Sequence, residues 1–191
     1  PPTDASSPAG WEYNMVRWLE REGYDVAYCT NMDVHNHPDL LLNYKAWLAV
    51  GHDEYWSWQM RNHLEAALDK GIHLGFFSAN TGYWQVRFEG GEPSGQTERI
   101  MVCYKSASHD PVVKRDQHVH LTTCQWREEP VCRPEAELIG VMYTADPIDS
   151  DIVIVQPKHW LFEGIDLSDG YRLSGLLGYE VDCVSDNSPS N

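Results

Sequence analysis

Long apolar runs, basic residues and paired cysteines are scarce in this 191-residue sequence, and each scarcity closes off a class of function. No stretch approaches the ~20 consecutive apolar residues of a membrane span, so no membrane partner is expected. The opening residues Pro1-Pro2-Thr3-Asp4-Ala5-Ser6-Ser7-Pro8 have neither the basic start nor the apolar core of a signal peptide. Lysine and arginine number 14 against 29 aspartates and glutamates, a formal net charge of −15. Such a surface repels phosphate backbones and anionic headgroups, which argues against nucleic acid as a partner and leaves solubility as the plain meaning of the charge. The five cysteines, Cys29, Cys103, Cys124, Cys132 and Cys183, form no C-x-x-C pair, so neither a zinc knuckle nor a thioredoxin-type motif is supported. Their odd number leaves one thiol over. Cys124 and Cys132 could close a small loop in an exported protein; small buried hydrophobes and a cytoplasmic setting are the favoured alternative. No G-x-S-x-G elbow, Walker loop, H-E-x-x-H helix or GxGxxG fingerprint occurs, which disfavours a serine hydrolase, a nucleotidase, a zincin and a Rossmann-type dehydrogenase.

What is present reads as one α/β domain. Residues 1–10 resemble a linker and 185–191 a frayed tail, leaving 11–184 as the domain. Trp11, Met15, Trp18 and Leu19 recur at helical spacing up to Glu22, and Gly23 stands where a helix C-cap glycine is expected. Tyr24 to Cys29 then reads as a strand, and Pro38 opens a short helix over Leu40, Leu41 and Leu42. Tyr44 to Gly51 is a near-continuous apolar run, as in a strand buried on both faces of a parallel sheet. Ser57 is placed to cap a helix carrying Trp58, Met60, Leu64, Ala67 and Leu68 and ending at Gly71. Ile72 to Phe77 follows as another apolar strand, completing a βαβ unit. Arg99 to Lys105, Leu138 to Tyr143 and a short buried Ile152 to Val155 are further expected strands. Residues 106–134 form a polar, His- and Arg-rich segment resembling an insertion or lid. The expected fold is α/β with a mainly parallel sheet and helices on both faces.

In open parallel sheets, ligands bind beyond the carboxyl ends of the strands. Two such ends are chemically loaded: Gly51-His52-Asp53-Glu54-Tyr55 and Ser78-Ala79-Asn80-Thr81-Gly82-Tyr83-Trp84. His52 and Glu54, two residues apart, point the same way if the chain stays extended, while Asp53 points away, toward the following helix's N-terminus. Asn80 brings an amide that donates and accepts hydrogen bonds. Each has an ordinary reading beside the functional one. A His-x-Glu pair often serves capping or a surface ion pair, Asn80 suits a turn, and Tyr55, Trp56, Tyr83 and Trp84 suit core or pocket wall. The coincidence of two polar ends after two apolar strands favours a site. His35-Asn36-His37 lacks helical i, i+4 spacing, and His118 with His120 has no fixed carboxylate partner, so both are weaker metal candidates.

Three stretches carry a family resemblance: Gly51 to Ser57, Ala79 to Trp84, and Gly178-Tyr179-Glu180-Val181-Asp182. With Trp18 to Val26 preceding them, they resemble the C-terminal domain of N,N-dimethylformamidase large-subunit-like proteins from about Trp11 to Asp182. The domain is similar to the class I glutamine-amidotransferase-like fold, and His159 to Gly164 is like a loop of that wider group. The place where that group carries a catalytic cysteine holds His52-Asp53-Glu54 here, so thiol amidotransfer is not implied. The resemblance implies an amidohydrolase with a mononuclear ferric ion held by two tyrosines and one glutamate. Glu54 matches the glutamate ligand. His52 and Asn80 match polar residues lining the site, and Glu180 matches a second, catalytic acid; Tyr55, Tyr83 and Trp84 are expected as substrate-pocket wall from their place beside these motifs, not from the resemblance. The tyrosine ligands belong to a region upstream of this domain. Phenolate and carboxylate are hard donors suited to Fe³⁺. The implied partners are a small-molecule amide substrate and either a small partner subunit or a second copy of the chain. A non-catalytic carbohydrate- or protein-binding domain of the same fold is the competing reading.

Overall fold

The computed structural model describes residues 12–91 and 96–184. The segments read as linker, 1–10, and tail, 185–191, lie outside the described residues.

Helix α1 (Tyr13–Glu22) follows the apolar spacing and ends as expected, with Gly23 at φ 75° and its N–H on the carbonyls of Glu20 and Leu19. The strand expected over Tyr24 to Cys29 does not form. Tyr24 folds back onto the Trp18 ring, 5.3 Å between centroids, and Thr30 at once caps α2 (Asn31–Asn36) through a reciprocal box with Asp33. Local capping therefore takes the segment before any strand partner does. Leu40–Asn43 is a short 3-10 turn rather than an α-helix.

The expected βαβ unit is present. Strand β1 (Ala46–Val50) runs parallel to β3 (His73–Phe77), with α3 (Trp58–Asp69) between them. The Ser57 hydroxyl accepts the Met60 N–H at 3.1 Å and starts α3. A short strand, β2 (Tyr55–Ser57), precedes that helix. It pairs in parallel with β4 (Trp84–Gly91), which in turn pairs antiparallel with β5 (Gln96–Val102). After a helical turn, α4 (Ala136–Ile139), two twelve-residue strands, β6 (Met142–Val153) and β7 (Arg172–Cys183), form an antiparallel hairpin.

This architecture corrects the expected fold class. The mainly parallel sheet with helices on both faces, similar to a glutamine-amidotransferase-like fold, is replaced by three small sheets of two, three and two strands, parallel only at β1–β3 and β2–β4. The physical reason lies in β6. Thr144, Asp146, Asp149, Ser150 and Asp151 cannot enter a sheet buried on both faces, whereas an antiparallel pair tolerates solvent. Ile152 to Val155, expected as a short buried strand, is where β6 ends and the connection to β7 begins: Val155 is 72% exposed and only Ile154 is buried. Leu138 to Tyr143 is split by Gly140 (φ 86°), which ends α4 before β6 begins.

The core joins Val34, Leu41, Trp56, Met60, Leu64 and Ala67 to Cys124, Trp126 and Val131. The last three come from the polar segment 106–134, so it is part of the core and not a lid. Its Asp110 and Arg127 are paired with Arg87 and Glu135. The Arg133 guanidinium lies 4.3 Å from the Trp58 ring, and Arg61 lies 5.0 Å from Trp126. All five cysteines are free thiols. Cys124 is buried and Cys103 half-buried, while Cys29, Cys132 and Cys183 are exposed, so the buried-hydrophobe reading fails for those three. Among the described residues no helix is long and apolar enough to cross a membrane.

Candidate functional site

The two loaded strand ends are laced together by main-chain bonds. Gly51 N–H reaches Phe77 O at 3.2 Å, Gly82 N–H reaches Asp53 O at 2.8 Å and Trp84 N–H reaches Glu54 O at 2.9 Å. The register then continues as Tyr55↔Trp84 in β2–β4. This lacing depends on glycine at 82. Its φ is 57°, and a Cβ there would stand 2.9 Å from the Trp56 ring.

Strand β7 crosses both ends. Glu180 and Asp182 are two residues apart and share a face of the strand. Glu180 Oε2 lies 2.6 Å from His52 Nε2, a contact spanning 128 positions of sequence. Asp182 Oδ1 accepts the backbone N–H of Asn80 at 2.8 Å. Burial raises the Asp182 pKa, against the backbone N–H groups of Asn80 and Thr81 that favour its charge. Asn80 is 6% exposed, adopts φ 57°, and its side-chain oxygen is buried without a partner. An orphaned buried acceptor is the kind of cost that folds carry at functional positions.

An aromatic wall continues from this point. Tyr83 meets Trp84 edge-on at 4.9 Å and Tyr143 of β6 at 5.4 Å. The Arg127 guanidinium lies 5.1 Å from the Tyr83 ring and is held by two 3.1 Å bonds from its Nε to the buried carboxylate of Glu135. Burial raises the Tyr83 pKa, with nearby carboxylates including Glu54 adding to it. Burial also raises that of Tyr143, with Asp146 and Glu180 adding to it. On the other side of Trp84, the Lys105 ammonium sits 5.1 Å from the Tyr55 ring and 5.0 Å from the Trp84 ring.

His52 and Glu180 are thus in direct contact. Asn80 adjoins them through Asp182, and Tyr55, Tyr83 and Trp84 form a half-buried wall beside Glu54. The group sits on a partly exposed shelf, the His52 and Glu180 side chains being 33% and 19% exposed. The described surface recess nearest in sequence, about 530 Å³ lined by Asn14, Met15, Trp18, Val50 and Phe77, contains none of these residues. Asp53, expected to point toward the N-terminus of α3, instead approaches α2, 3.4 Å from Asn31 Nδ2. His35 bonds Ser57 at 2.6 Å and Glu98 at 3.3 Å, and His120 lies edge-on to Trp58, so each is engaged in packing contacts.

Asp182, Tyr143, Arg127 and Lys105 were not singled out from sequence. Asp182 had a usable signal, its i, i+2 spacing from Glu180. The other three are brought in by tertiary contacts alone. Among the described residues no group of three or more His, Cys, Asp or Glu side chains is placed to hold a metal ion. Glu54 is a hard, half-buried carboxylate of the kind that suits a ferric ion.

No curated protein matches the chain. The sequence model of the family described as N,N-dimethylformamidase beta subunit-like, C-terminal, matches residues 2–191. The chain therefore belongs to the N,N-dimethylformamidase beta subunit-like C-terminal family.

Proposed function

We propose that this domain supplies the acid–base half of a site that hydrolyses a small amide C–N bond. The observation that carries the reading is the 2.6 Å contact between His52 and Glu180, made by segments that have no local reason to meet. A carboxylate bonded to an imidazole orients the ring and fixes its tautomer, which suits the pair to take a proton from water. Water then adds to the amide carbonyl carbon while its proton passes to the pair. The C–N bond breaks with its electrons on nitrogen, and nitrogen takes the proton back, giving a carboxylic acid and an amine. The Asn80 amide is the group beside this pair that can bond the carbonyl as it gains charge. Tyr55, Tyr83 and Trp84 shield the substrate's alkyl groups from water. When bound, a ferric ion would supply Lewis acidity, with Glu54 as the carboxylate donor from this chain and the remaining donors from an upstream region.

The test uses the full-length protein with N,N-dimethylformamide and formamide, reading amine release. Glu180→Ala and His52→Ala are expected to lower kcat by about 10²–10⁴-fold. Glu54→Ala is expected to lower iron content. Turnover of Glu180→Ala within twofold of wild type overturns the reading. A second reading, a protein-binding domain without catalysis, draws on the β6–β7 hairpin, where Leu176, Tyr179 and Trp160 are 64%, 63% and 75% exposed. Saturable partner capture by a protein without turnover favours it.

A further inference from the structure

Lys105 holds an unusual position. It follows β5, carries a left-handed backbone at φ 56°, and projects its ammonium over two aromatic rings that face each other across the β2–β4 register. A left-handed conformation is rare for a residue with a Cβ and costs of order 1 kcal/mol, so the surroundings must impose it. Among the described residues no ion pair of this lysine explains the cost, and it is exposed. Its ammonium hydrogen-bonds the Tyr55 side chain. An ammonium has three donors. The Tyr55 side chain engages one, which leaves two on an exposed side chain. Lys105 also stands one step along the same lacing from the dyad: the Glu54 carbonyl bonds the Trp84 N–H, and Glu54 is two residues from His52. In a chain of net charge −15, a cation fixed beside this shelf is a feature that general solubility does not explain.

We propose that Lys105 is the acyl-oxygen anchor of the site, binding the carbonyl oxygen of an amide substrate and the carboxylate of the acid product. This rests on the amide-hydrolase reading above, and it specifies how that site holds the oxygen-bearing end of its ligands. The ammonium meets the oxygen where charge grows as water adds, and the two rings fix its direction without neutralising it. Tyr55 and Trp84 thereby act as positioning residues for Lys105.

The experiment measures formate binding to the full-length protein by ¹³C-formate line broadening, and separately amide turnover, in wild type, Lys105→Met, Lys105→Arg and Lys105→Gly. Wild type is expected to bind formate, and Lys105→Met to weaken that binding by about tenfold or more, the scale of a lost charge-assisted bond. Lys105→Arg keeps the charge and retains most of the affinity. Lys105→Gly separates folding from function: glycine accepts φ 56° freely, so this variant melts no lower than wild type yet loses formate. Formate binding that is absent in wild type, or unchanged in both Lys105→Met and Lys105→Gly, overturns the assignment. The readouts also separate the two proposals. Lysine-dependent formate binding in a protein with no turnover sinks the hydrolase reading and leaves the anion anchor standing. Turnover with lysine-independent formate binding does the reverse.

Discussion

Asp110 offers the sharpest quantitative test of how segment 106–134 is held. Its side chain is wholly buried and accepts from Arg87 Nη1 at 2.7 Å, from Thr123 N and Oγ1 at 2.8 Å each, and from Val112 N at 3.0 Å. Burial alone would push its pKa up; these donors overcome it and hold the carboxyl at about 2, against 3.8 for a free aspartate. The difference corresponds to about 2.4 kcal/mol of native-state preference for the charged form. The sign follows from the depressed folded value. The contribution is complete above the unfolded pKa, at pH 5 and higher by rough count, and is lost as pH falls through about 2.

Asp110→Asn keeps the shape and removes the charge. It also turns an amide N–H₂ toward groups that are themselves donors, and leaves Arg87 with Glu89 as its remaining carboxylate partner. The expected cost at pH 7 is about 3 kcal/mol, which lowers the melting temperature by about 6–12 °C in a chain of this size. Urea unfolding at pH 7, 5 and 3 reads it out. The gap between wild type and variant should hold from pH 7 to 5 and narrow at pH 3. A gap that is absent at pH 7, or as large at pH 3 as at pH 7, refutes the reasoning.

Three further outcomes are expected. Gly82→Ala forces a Cβ to within 2.9 Å of the Trp56 ring at φ 57° and should cost about 1–3 kcal/mol, measured by urea unfolding; a neutral result shows that the lacing of residues 53–54 to 82–84 is not fixed by that glycine. Asp182 has the opposite sign to Asp110: its folded pKa is raised, so its ionised form works against stability at neutral pH, and that cost vanishes below the unfolded value of 3.8. Asp182→Asn, which keeps an acceptor for Asn80, should match or exceed wild type at pH 7 and coincide with it at low pH; a lower urea midpoint at pH 7 counts against this. Cys124, buried with its thiol pushed up to about 12, should resist alkylation at pH 8 while the exposed Cys29, Cys132 and Cys183 react rapidly, as read by peptide mass spectrometry.

Local order was legible where one residue type settles the outcome. Gly23 ends α1, Ser57 starts α3, and the apolar runs 46–50 and 73–77 pair in parallel around that helix. The sequence logic failed where pairing is non-local. Nothing in Asp146, Asp149 and Asp151 announces a twelve-residue strand, because the partner that completes it lies beyond Arg172. Segment 106–134 reads as polar because Arg133 and Asp110 are counted as exposed, when stacking on Trp58 and Trp126 half-buries the first and bonding to Arg87 buries the second. For the site, the motif at 51–57 and that at 79–84 could be placed side by side from strand periodicity. The approach of Glu180 to His52 could not, since it rests on the course of β7.

The strained positions connect stability to the site. Among the described residues, non-glycine backbones with positive φ occur at Asn80, Glu98, Lys105 and Cys132. Two of these, Asn80 and Lys105, flank the candidate site, and each is held from outside its own loop. Asp182 grips the Asn80 N–H. Next to Lys105, the Tyr104 N–H donates to Thr123 Oγ1 at 2.9 Å, and that hydroxyl donates to Asp110 at 2.8 Å. The relay Asp110–Thr123–Tyr104 thus ends one residue before Lys105 and ties the carboxylate that anchors the core segment to the loop carrying the ammonium. It follows that Asp110→Asn should weaken formate binding even under conditions where the variant is fully folded, whereas Asp182→Asn, acting on the Asn80 side, should leave formate affinity near wild type. Equal formate affinity in wild type and folded Asp110→Asn would show that Lys105 keeps its place without the relay, and that its left-handed backbone is imposed by its own loop.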